Sequence, residues 1–203
     1  VVSSALVLAE SAYLLGDSHR LSYEVTNYLT TNGVTLKEYD EIDEILASSV
    51  VSGRILCPLE TVNYYLYHVL VNHEGAEVVA GFDLVNNLKA VKNETEIKNT
   101  HNAQVKDSCA LVGAMQEIYE KLDAGELVTE YDVREILEVY RRHQPLNYGS
   151  SFGAIVAYGA NAAMMHYNPT KEKCSLIEKK GFLLIDSGGQ YLDGTTDITR
   201  TFV

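Results

Sequence analysis

The sequence is short of basic side chains: 16 Lys and Arg stand against 28 Asp and Glu in 203 residues, a formal net charge of −12. A polyanion would be repelled by such a chain, which argues against nucleic acid as a partner. Cysteine is scarce too. Cys57, Cys109 and Cys174 are an odd number, lie far apart and form no C-x-x-C, so neither a disulfide framework nor a thiolate metal site is expected, and a reducing, cytoplasmic compartment is favoured. No run approaches the roughly 20 apolar residues that a membrane-spanning helix needs. There is no initiator Met, no basic segment at the start, no internal repeat, no G-x-G-x-x-G and no P-loop. The last residues, Thr201-Phe202-Val203, fall inside what reads as a strand, so a piece of something longer is expected.

What is present is globular: 46% hydrophobic and 22% charged. The charge is uneven. Residues 1–85 carry 3 basic and 12 acidic groups (−9) and residues 86–203 carry 13 and 16 (−3), which together with a pattern change near Asn86-Asn87 predicts two units. In the first, strands over 5–8, 13–15, 34–39, 53–57 and 76–82 alternate with helices over 22–29, 39–47 and 61–71, implying an α/β layer with a largely parallel sheet. The second opens on a long helix with a capping box at Asn93 and Glu96. Its apolar positions include Ile97, Val105, Ala110, Val112, Met115, Ile118, Tyr119 and Leu122. Thr129-x-x-Asp132 begins another, with Val133, Ile136, Leu137 and Tyr140 on one stripe. Strands over 151–158, 182–186 and 195–203 follow, an α+β order.

The chemistry points to residues 182–201. Asp186 ends an apolar strand, where an ionised carboxylate is costly without a cation or donors. Asp197 sits inside the next predicted strand, against its propensity. Two misplaced carboxylates are either oxygen ligands for a divalent ion or turn-capping structural aspartates. A hairpin turn at Asp193-Gly194 would offset them by four residues, about 13 Å, whereas a loop centred on Tyr191-Leu192 would make them neighbours at about 5 Å. A bulge at Gly188-Gly189 could absorb the difference. Asp186-Ser187-Gly188 also matches the aspartic-protease motif, but that mechanism needs two such motifs. Tyr191 stands where a phosphatase of the Asp-x-Asp-Gly-Thr type has its nucleophile, which excludes that class. Of six histidines, five read as surface residues. His166 follows a run of small residues and the pair Met164-Met165, and is either a loop histidine with a structural role or a functional one.

Leu88 to Ile97, Gln144-Pro145, Gly149-x-Ser151-Phe152, Ala162 to Tyr167 and Asp186 to Thr201 together resemble the Xaa-Pro aminopeptidases, the aminopeptidase P branch of the pita-bread metallopeptidases. The resemblance implies a creatinase-like α/β N-terminal domain part over 1–85 and the first half of an α+β pita-bread catalytic domain over 86–203. It implies two divalent metals, manganese first with zinc or cobalt as alternatives, held by Asp, Asp, His, Glu and Glu. Asp186 and Asp197 match the two aspartates, and His166 matches a histidine that contacts the substrate and steadies the oxyanion. A metal-bridging hydroxide would attack the carbonyl before proline in a peptide with proline second. The remaining ligands would lie beyond Val203, so the isolated piece is expected to bind metal weakly and to be nearly inactive. Arg200, directly after the ligand strand, is expected to pair structurally, with a carboxylate beside the metal ligands as the alternative. A homodimer is expected of the full-length protein, and prolidase, creatinase and a non-catalytic peptide-binding module are the alternatives on the same fold.

Overall fold

Residues 3–8, 10–47 and 52–203 are described by the computed structural model, in which two units, Val1–Ala90 and Val91–Val203, separate. In the first, β1 (Ser4–Val7) and β2 (Ala12–Leu15) pair antiparallel, and β3 (Val34–Lys37) lies parallel to β2. Between them runs α1 (Tyr23–Thr31), whose free N-terminal amides are partly met by the Ser22 hydroxyl, accepting from Val25 N at 3.3 Å. The single helix expected over 39–47 divides into a 3-10 turn, Tyr39–Glu41, and α2 (Ile42–Leu46), because Glu38 and Glu41 close a capping box there. β4 (Gly53–Cys57) and β5 (Ala76–Ala80) are parallel and joined by α3 (Tyr64–Val71). The parallel pairings are as the alternation implied, but the described strands form two small sheets, and β1 is antiparallel. α4 (Leu84–Ala90), which the sequence pattern did not announce, ends the unit.

The second unit is built on two helices. In α5 (Glu94–Asp123) Asn93 Oδ1 accepts from Glu96 N and Asn93 N donates to Glu96 Oε2, both at 2.9 Å. The box at Thr129 and Asp132 opens α6 (Glu130–Arg142) in the same way. The stripe α5 buries is Ala103, Asp107, Ala110, Leu111, Ala114, Met115 and Ile118. Ile97, Val105 and Val112, expected on that stripe, are exposed. Ile97, Val105 and Val112 follow one another at seven- or eight-residue intervals along a different face of the helix from the buried stripe, which holds Leu111, Met115 and Ile118 beside the alanines. Val112 and Tyr119 line a cavity of about 550 Å³ together with Ile198, Arg200 and Phe202.

Six strands complete this unit: β6 (Asn147–Ser150), β7 (Ile155–Tyr158), β8 (Leu183–Ser187), β9 (Gly189–Tyr191), β10 (Gly194–Thr195) and β11 (Ile198–Phe202). They form two sheets, in the orders β11-β8-β7 and β10-β9-β6, with all pairs antiparallel. The core joins Leu111, Met115 and Ile118 of α5, Val133 and Leu137 of α6, and Val156, Leu183, Ile185 and Ile198 of the first sheet. The chain passes from one sheet to the other at Gly188. A Cβ there would lie 1.9 Å from Thr196 O and 2.3 Å from Ser151 Oγ, so only glycine fits the crossing. This crossing splits the expected 195–203 strand and leaves Asp197 between β10 and β11.

Candidate metal centre

Asp186 lies on β8 between Ile155 of β7 and Thr199 of β11. It is half-buried, and its Oδ1 accepts from Thr199 Oγ1 at 2.8 Å. Asp197 is exposed and stands one residue before β11. Ile198 faces Ser187 and Thr199 faces Asp186 in one sheet; Gly194 faces Tyr191 and Thr195 faces Gln190 in the other. The register is the same in both, and Thr196 N donates to Gly189 O at 3.0 Å between them. The hairpin therefore turns on Leu192 and Asp193, between the two positions the sequence left open. The bulge is not at Gly188-Gly189: the register shift falls in β6, between Asn147 and Gly149.

The consequence is geometric. Thr199 is opposite Asp186, and Asp197 is two residues from Thr199, so by register the two aspartates are diagonal neighbours, Asp197 lying in the link between β10 and β11. Such pairs are separated by about 7–8 Å between backbones, with side chains that can lean together. What sets the turn is distant in sequence. Lys106 Nζ on α5 holds Asp193 Oδ1 at 2.6 Å and lies 4.7 Å from the centre of the Tyr191 ring. A Cβ on Gly194 would sit 3.0 Å from Ala103 Cβ, so the hairpin packs directly on the helix.

Among the described residues neither Asp186 nor Asp197 has an ion-pair partner. Arg200 donates from Nη1 to Thr199 O at 2.7 Å, and among the described residues it has no ion-pair partner. Two hard oxygen donors on one face without a compensating cation suit a divalent ion, and they fit as part of a site. Among the described residues no three His, Cys, Asp or Glu converge, so His166 does not join the aspartates in a ligand cluster. His166 is exposed, on the loop after β7, with φ of 56°. The left-handed region is sparsely used by non-glycine residues and is a mark of functional loops.

Two buried networks escaped the sequence reading. Asp107 of α5 and Arg141 of α6, both 0% exposed, form a two-pronged pair: Nε to Oδ1 at 2.7 Å and Nη2 to Oδ2 at 3.1 Å. Nη2 also donates to Ser187 Oγ, next to Asp186, at 3.0 Å, and Tyr191 OH donates to Asp107 Oδ1 at 3.0 Å. Burial, then the Asp107 charge, pushes the Tyr191 phenol above its ordinary range. Glu130, also 0% exposed, accepts from Tyr158 N at 2.6 Å, Asn161 Nδ2 at 2.9 Å, Tyr167 OH at 2.7 Å and Ser175 N at 2.7 Å. Burial and this carboxylate push the Tyr167 phenol up to about 12. One signal was legible in principle: Glu130, Val133, Leu137 and Arg141 share a helical stripe, as Asp107 does with Ala103, Ala110, Leu111 and Ala114.

Both units have counterparts among known proteins. Residues 100–203 match metallopeptidase family M24, and residues 1–96 match the creatinase/prolidase N-terminal domain. The chain belongs to the M24 family, with the creatinase-type domain preceding the start of the pita-bread catalytic domain. A probable Xaa-Pro aminopeptidase P of Verticillium alfalfae is 34% identical over 98% of this chain and 33% of its own length. Xaa-Pro aminopeptidase 2 of Mus musculus is 34% identical over 98% and 30%. The X-prolyl aminopeptidase structure from Caenorhabditis elegans, described as a cytosolic enzyme with a di-nuclear active site, superposes with a TM-score of 0.87 at 27% identity, over 98% of this chain and 33% of that one. The chain thus spans about a third of the length of these relatives.

Proposed function

We propose that this chain forms part of a metal-dependent Xaa-Pro aminopeptidase that removes the first residue from peptides with proline second. The observation that supports the reading is the unshifted hairpin register, by which Asp186 and Asp197 are diagonal neighbours, and among the described residues neither has an ion-pair partner. These two carboxylates would hold divalent ions, manganese first and zinc or cobalt otherwise, as oxygen donors suited to such ions. When bound, the ions would activate a water toward the carbonyl before proline and polarise that carbonyl. Thr199 Oγ1 fixes one Asp186 oxygen and leaves the other free to coordinate. The exposed His166 imidazole would contact the substrate and donate toward the oxygen that becomes negative. Three further ligands would come from polypeptide beyond this chain, and the 203 residues alone would hold metal weakly and turn over little. A homodimer in the cytoplasm completes the reading. The cytoplasmic part of it is supported by the unpaired thiols Cys57, Cys109 and Cys174 and by the cytosolic relative.

The test uses the longest natural chain that contains this segment. Metal content after dialysis and hydrolysis of an Arg-Pro-Pro peptide are measured for the native protein, Asp186→Asn and Asp197→Asn. Each substitution is expected to weaken metal binding at least tenfold and to abolish release of the first residue. Hydrolysis of the free Arg-Pro dipeptide but not of the tripeptide would make the enzyme a prolidase. Undiminished metal binding in both variants would remove the metal site from these residues.

A further inference from the structure

The loop that carries His166 is held by one carboxylate that the proposed chemistry does not use. Glu130 opens α6 and is wholly buried, and among the described residues no cation pairs with it. Its oxygens face donors instead. Tyr158 N and Asn161 Nδ2 meet Oε1, while Tyr167 OH and Ser175 N meet Oε2. The Asn161 amide also lies 3.2 Å from Oε2 and donates to Ser175 Oγ at 2.9 Å. Glu130 N in turn donates to Ser175 O at 3.0 Å, and Thr129 bridges Leu176. In sequence these anchors bracket His166, at 158 and 161 before it and at 167 and 175 after it. Residues 162–166 between the inner anchors are all exposed.

We infer that Glu130 is the positioning residue for His166. The inference rests on the reading of His166 as the substrate-contacting group. His166 sits at φ 56°, a conformation that persists only where the surroundings over-determine it. Tyr167, the very next residue, is pinned through its hydroxyl to Glu130, and Asn161 is pinned five residues before His166. A single buried carboxylate therefore fixes both ends of the exposed bend. Each of its oxygens faces one backbone N–H, which can only donate, so both positions need an acceptor. A glutamine would turn its amide hydrogens toward either Tyr158 N–H or Ser175 N–H, and a backbone N–H has no way to reverse its role.

The test has two readouts. In the 203-residue chain, NMR of His166 reports its backbone geometry through the Cα shift and the amide coupling. Glu130→Gln is expected to move both from the left-handed values toward averaged ones, and fixed values would overturn the inference whatever the kinetics do. In the longest natural chain, kcat and KM are compared for native, Glu130→Gln, His166→Ala and the double variant. Glu130→Gln should lower kcat at least tenfold with KM within about twofold, and should lower it no further in the His166→Ala background. An equal loss of kcat in both backgrounds would overturn the positioning role. A normal kcat in His166→Ala alone would remove the catalytic reading of His166, while the NMR readout still decides the positioning. Tyr167→Phe, which removes one donor and leaves three, should move both readouts the same way by less. If Glu130→Gln does not fold, this variant decides, and native values in it overturn the inference.

Discussion

Four carboxylates of the second unit divide into two pairs with opposite habits. Asp107 and Glu130 are fully buried, and between them they accept from a guanidinium, two tyrosine hydroxyls, an asparagine amide and two backbone amides. Asp186 and Asp197 are half-buried and exposed, and one threonine hydroxyl at Asp186 is the hydrogen bond recorded for the pair. Buried charges must be satisfied or they cost several kcal/mol. The buried pair is satisfied and holds elements together. The hairpin pair keeps open oxygens toward solvent, which the proposed ligand role requires and a strut would not.

The sharpest way to break the comparison is to remove partners. Arg141→Ala leaves the buried Asp107 carboxylate without its guanidinium partner, and chemical denaturation of the 203-residue chain is expected to show a loss of about 3–5 kcal/mol. Asp186→Asn in the same chain without metal should stay within about 0.5 kcal/mol of the parent, as surface substitutions do. Equal losses in the two variants would erase the distinction between strut and ligand.

The two pairs also differed in how far they could be read from the sequence. The helices were legible because their signals are local: Asn93 with Glu96 and Thr129 with Asp132 form the capping boxes their spacing announced. The aspartates themselves were legible because each violates a local preference. Their spacing was not, since the turn is fixed by Lys106, 87 residues from Asp193. Glu130 was hidden by its ordinary place in a helix's first turn and Arg141 by its place in a last turn, where such charges usually face water. Of the apolar residues expected on the buried side of α5, Ala110, Met115 and Ile118 are buried and Ile97, Val105, Val112 and Tyr119 are exposed, because a 30-residue helix offers apolar residues on more than the one face that meets α6 and the hairpin.

Alkaline pH separates the pairs by a second route. The Tyr167 phenol is raised from 10.0 to about 12 in the folded chain, by burial first and by Glu130 second. Between pH 10 and 12 the unfolded chain has lost this proton and the folded chain keeps it. Stability from this group is therefore complete below pH 10 and is lost as pH rises toward 12. Tyr191, raised by burial and Asp107, acts in the same sense. Denaturation midpoints of the parent should fall across this window, and Tyr167→Phe should fall less steeply. An identical alkaline slope in the two proteins would show that Glu130 does not hold this phenol in solution.

The smallest effect belongs to the one donor of the hairpin pair. Thr199→Val removes the hydroxyl that reaches Asp186 Oδ1 and keeps the β-branched shape that suits β11. An intramolecular hydrogen bond contributes about 0.5–1.5 kcal/mol net, and less where water can replace it. Thr199 is exposed and Asp186 is half-buried, so water can reach the oxygen that the variant leaves unpaired. Denaturation of the metal-free chain should therefore show a loss below about 0.5 kcal/mol, several-fold smaller than that of Arg141→Ala. A loss above about 2 kcal/mol would mean that Asp186 depends on its donor as Asp107 depends on Arg141. The hairpin carboxylates would then be structural, and the open face between them would no longer point to a cation.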